Sequence, residues 1–136
     1  MADPARRWLK QLAALGLAAC GSEIRTAPLG LRPAGAPPPV VVEYPPPPAQ
    51  VEKVGDDPGP PHVWVDGQWE PGAGGWEWQP GGWYTPPAGC HFAPPSLEWR
   101  AAPDGRGPAR FHHAGRWYSD DGSTKPCDEA KPATAR

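Results

Sequence analysis

The sequence predicts a small all-β fold: short antiparallel hairpins or a meander around an aromatic core. Three observations predict it. Five of the eight tryptophans fall between His62 and Tyr84, in short runs of strand composition. The figure W-x-x-G-x-W occurs twice there, as Trp64–Trp69 and Trp78–Trp83, fourteen residues apart. Turn signals punctuate the stretch at Asp66-Gly67, Gly72-Ala73-Gly74-Gly75 and Pro80-Gly81-Gly82.

The chain has 136 residues, enough for one domain. Its 23 prolines and 17 glycines make up more than a quarter of it, which points to disorder or low complexity. Eight tryptophans contradict a plain linker, so a long spacer and a small aromatic module are both expected. Net charge is −2 with acids and bases interspersed, which gives no electrostatic case for nucleic acid. So small a unit is marginal alone and usually carries a staple.

Residues 1–19 read as an export signal. Arg6, Arg7 and Lys10 precede a short apolar run, Leu12–Ala19. That run falls short of the roughly 20 residues a membrane helix needs. The alternative, an amphipathic helix of the folded unit, is opposed by Gly21-Ser22 and the proline-rich tract that follow. Leu17-Ala18-Ala19-Cys20 resembles the lipobox of bacterial lipoproteins. The resemblance implies cleavage before Cys20, diacylglycerol on its thiol and acylation of the new amino terminus. Several acyl chains anchor stably where one holds only marginally. Gly21, where an Asp would signal retention, then favours the outer membrane. Arg6-Arg7-Trp8-Leu9-Lys10 is loosely similar to a twin-arginine signal, with the general secretory route as default. The expected protein is thus an exported lipoprotein of the bacterial cell envelope, held to the membrane through Cys20.

Residues 20–61 read as a lipidated cysteine and a disordered proline-rich tether. Pro37–Pro39 and Pro45–Pro48 favour polyproline II, a semi-rigid spacer. It would hold the tryptophans away from the bilayer. Val40–Tyr44 has strand composition and fits an extended linker, an edge strand or a docking peptide. Residues 55–61 break the chain before the module.

The Trp-rich repeat module is expected over residues 62–127, with two registers open. In one, Asp66-Gly67 makes a tight hairpin turn and Trp64 faces Trp69. In the other, strands 63–70 and 76–84 join through Gly72–Gly75. Trp76 and Trp78 share a face, with Glu77 opposite. A degenerate third copy runs from His112 through Gly115 to Trp117. The duplicated figure resembles the WXXGXW (YXWGXW) repeat family of small bacterial exported proteins and lipoproteins. The match is good over 63–84 and weak over 111–118. The family signature carries no assigned activity, so it implies localisation and fold class alone.

Trp64, Trp69, Trp76, Trp78, Trp83 and Trp117 are the candidate functional aromatics. Most are expected in the core, completed by Phe92, Leu97, Trp99 and Phe111. Any indole left exposed would suit sugar rings or proline motifs, with a cell-wall glycan or an envelope protein as partner. Cys90 and Cys127 read as a disulfide in an exported chain. A metal site from those cysteines with His91, His112 and His113 matches no common template, and no cofactor is expected. Asp120–Ser123 reads as a solvated turn rather than a calcium loop. Glu70, Glu77 and Glu98 offer carboxylates for glycoside chemistry, but no spacing fixes a pair. No catalytic residue is therefore expected, and residues 128–136 read as a disordered tail.

Overall fold

A computed structural model describes residues 23–127 and 130–133. The export signal, Cys20 and most of the tail lie outside them. The described chain is all-β: ten short strands in small antiparallel sheets, with no helix. The strands are β1 (Val40–Val42), β2 (Val63–Val65), β3 (Gln68–Gly72), β4 (Gly75–Gln79) and β5 (Gly82–Thr85). They continue as β6 (Cys90–Ala93), β7 (Ser96–Ala101), β8 (Pro108–His113), β9 (Arg116–Ser119) and β10 (Lys131–Pro132).

The repeat forms one hairpin folded at Ala73-Gly74. β3 pairs with β4 and β2 with β5 in a single continuous register: Val65 opposes Gly82, and Gln68 opposes Gln79. Asp66-Gly67 and Pro80-Gly81 face each other as a break in the ladder. Of the two registers open in the sequence, the chain adopts the longer hairpin, and Trp64 faces Trp83 rather than Trp69. The reason lies in the second copy. Proline at position 80 has no amide to donate, so the ladder opens there without reversing direction.

The rest of the molecule builds around this hairpin. β8 lies between β1 and β7, while β6 pairs with β9. Val40–Val42 is thus an edge strand, with Val41 opposite Phe111. An N-terminal strap ties the sheets together. The Trp64 amide donates to the Arg25 carbonyl (2.7 Å), and the Phe92 amide donates to Pro28 (2.7 Å). Residues 25–27 therefore extend the sheet of β2, and residues 28–30 extend that of β6.

The core is small. Trp64, Ala93, Phe111, His112, Trp117 and Tyr118 are buried. Leu97 and Trp99 were expected in it, but Trp99 is 59% exposed and Leu97 38%. Both lie on one face of β7, an edge strand whose one neighbour is β8, so each keeps an open flank. Arg110 instead lies over the Trp99 ring at 4.4 Å. Cys90 and Cys127 are joined by a disulfide across 37 residues, and the Cys127 amide donates to the Trp117 carbonyl.

Candidate functional site

The antiparallel hairpin sets the two copies of the figure head to tail. The first tryptophan of each then meets the last of the other. Trp64 packs on Trp83 with ring centroids 5.7 Å apart and planes at 72°. Trp69 packs on Trp78 at 5.2 Å and 68°. Both are edge-to-face contacts, the geometry that the ring quadrupole favours. Near the tip Trp76 makes a third such contact, with His112 of β8 at 5.0 Å. Burial holds the His112 imidazole below its ordinary pKa, which keeps it neutral against that ring.

Each indole has a polar edge that needs an acceptor, and residues 44–55 supply four. Trp76 Nε1 donates to the Tyr44 carbonyl (3.2 Å) and Trp69 Nε1 to the Pro48 carbonyl (3.0 Å). Trp78 Nε1 donates to Glu52 Oε1 (3.3 Å) and Trp83 Nε1 to the Gly55 carbonyl (3.2 Å). The acceptors follow one another from the hairpin tip to its base. The stretch read in the sequence as a spacer is, from Tyr44 to Gly55, a ligand of the tryptophans.

Glu52 closes this arrangement at the break in the ladder. Its Oε2 accepts the Gly67 amide at 2.9 Å, and its Oε1 accepts the Gly81 amide at 2.8 Å. These are the glycines of the two W-x-x-G-x-W copies. With Trp78 they form a three-donor cradle around one carboxylate. A Cβ on Gly81 would stand 2.7 Å from the Val65 carbonyl oxygen and 2.8 Å from the Gly67 nitrogen. A Cβ on Gly67 would enter the Trp78 ring at 2.3 Å. Glycine is needed for close approach, since neither φ lies in the left-handed region.

The third copy repeats the device with another acceptor. The Gly115 amide donates to Gln68 Oε1 at 3.0 Å, and Trp117 lies against Phe92 at 5.4 Å. In all three copies the glycine amide is thus capped by a side-chain oxygen. Glu52 and Gln68 are the residues the sequence reading missed. A signal was present: a crowd of indole donors beside prolines, whose carbonyls have no amide of their own to pair through.

The other candidates separate. Among the described residues no cluster of histidines, cysteines and acids is placed to hold a metal. His91 bonds Asp120 through Nδ1 (2.8 Å) and the Leu31 carbonyl through Nε2 (2.9 Å). His113 bonds Glu98 at 2.6 Å, where Arg100 also pairs. These two partners hold the Glu98 carboxyl below its usual range, Arg100 chiefly. Asp121 accepts the Ser123 amide at 2.8 Å within a turn. Glu70 and Glu77 oppose each other across the hairpin, and Glu70 also reaches Arg116. Comparison with protein-family models, curated proteins and solved structures finds no match to this chain.

Proposed function

We propose that this is a non-enzymatic, lipid-anchored protein of the bacterial cell envelope, in which a small tryptophan-repeat β module has a structural or interaction role. The observation that carries it is the distribution of the three cysteines. Cys90 and Cys127 are joined, as suits an oxidising compartment. The third, Cys20, directly follows a charged, apolar, lipobox-like segment. The interaction role draws support from the hairpin, whose indoles grip an extended segment. Intact-mass measurement of the protein from cells tests the proposal. A mature species beginning at acylated Cys20, with one disulfide, is expected, whereas one retaining Met1 overturns it.

A glycan partner, bound by exposed tryptophans, is the second reading. Trp99 is the observation that favours it, being largely exposed on an edge strand. Peptidoglycan pull-down with Trp99→Ala checks it: unchanged retention removes the glycan.

A further inference from the structure

We propose that the tryptophan hairpin is a peptide-binding groove for extended, proline-rich segments carrying a glutamate, and that residues 44–55 are its resident ligand in cis. The inference rests on the interaction role proposed above and not on the lipid anchor.

Three features argue for recognition rather than ordinary packing. Four indole N–H groups donate to one short segment, at acceptors four, four and three residues apart: Tyr44, Pro48, Glu52 and Gly55. Extended proline-rich chains are read by aromatic grooves in this manner, because proline offers carbonyls without competing amides and its backbone is already ordered. The carboxylate cradle adds selectivity, since two main-chain amides and an indole converge on a charge they cannot neutralise by proton transfer. The groove also has room. An open cleft of about 260 Å³ lies beside the docked prolines, between Pro46, Pro47, Trp69, Trp78, Leu97 and His112. The chain's own segment leaves it unfilled.

Held in the same chain, residues 44–55 act at an effective concentration on the order of millimolar. A partner peptide must exceed that or meet a hairpin whose own segment has been weakened. The cis segment thus sets a threshold for binding in trans.

The test uses the full chain carrying Glu52→Ala and a synthetic peptide of residues 43–57, compared with the same peptide carrying Glu52→Ala. Calorimetry is expected to show the native peptide binding this variant about tenfold more tightly than the alanine peptide, the loss expected for a charge-assisted hydrogen-bond set. It is also expected to bind the variant more tightly than the wild-type chain. Equal binding of both peptides, or of neither, overturns the proposal. Should the variant lose its near-ultraviolet circular dichroism, the wild-type chain with nitroxide-tagged peptide above the cis threshold, at about 10 mM, decides. Broadening of the Gly67 and Gly81 amides and the Trp78 indole is expected, and its absence overturns the groove. A failure here leaves the acylation of Cys20 untouched, and failure of the mass test leaves the groove untouched.

Discussion

Trp69 and Trp78 oppose each other directly in the hairpin, yet one ends its copy of the figure and the other begins its own. The same holds for Trp64 and Trp83. A five-residue interval between tryptophans, used twice in antiparallel strands, yields two cross-strand pairs from four residues. The intervening glycines fall at the ladder break, where both amides are free to turn to Glu52. Pairing between copies therefore accounts for the tryptophans and the glycine of the figure together.

Substituting the repeat glycines separates close approach from conformational freedom. Gly81→Ala meets backbone atoms that cannot withdraw, and it is expected to cost about 1–3 kcal/mol. Gly74→Ala, at the hairpin tip, meets nothing within 4 Å and is expected to stay within about 0.5 kcal/mol of wild type. Urea denaturation of the full-length variants measures both.

The indole pairs should be coupled. A double-mutant cycle on Trp69 and Trp78, each changed to Leu, is expected to give an interaction of about 0.5–1.5 kcal/mol beyond the separate losses. The same cycle on Trp69 and Trp99, which lie in different sheets, is expected to be additive within about 0.5 kcal/mol.

His91 makes the N-terminal strap sensitive to pH. Both its partners, the Asp120 carboxylate and the Leu31 carbonyl, are acceptors, so the bonded ring carries both protons. The Asp120 bond first and the Leu31 carbonyl second raise its pKa above the ordinary 6.5. A raised folded-state pKa contributes stability that is fully present below 6.5 and is lost as pH rises through the raised value. Hydrogen exchange at the Gly30 amide should therefore quicken on going from mildly acidic to alkaline solution, after correction for intrinsic rates. His91→Gln should flatten that difference. A wild-type profile that is already flat refutes the coupling.

Reducing the disulfide, or replacing Cys127 by Ser, releases a 37-residue closure. The chain-entropy relation puts the loss at about 4 kcal/mol, a large part of what a domain of this size possesses. Thermal unfolding with and without reductant should show a large fall in midpoint.

Much of the fold was legible in the residues. The strands and turns between His62 and Tyr84 follow from alternation, tryptophan spacing and glycine. Between the two registers, local propensity could not decide, because Asp66-Gly67 is a strong turn signal in isolation. What overrides it is Pro80 across the ladder, together with a carboxylate from residue 52 that lies outside the repeat altogether. Leu97 and Trp99 were misplaced for a related reason. Counting apolar residues says how many a core could use, but it does not say which strand is left at an edge. The candidate site was half legible: its tryptophans were visible, while the partner that satisfies their N–H groups looked like filler.

The strap has a consequence for where the molecule sits. Arg25 is bonded to Trp64 through the backbone, and its guanidinium pairs with Asp57. With Cys20 acylated, five residues join the lipid to that fixed point, a reach of at most about 18 Å. The strap would then stay within that reach of the lipid rather than at the far end of a proline spacer, which confines the body's partners to the neighbourhood of the bilayer.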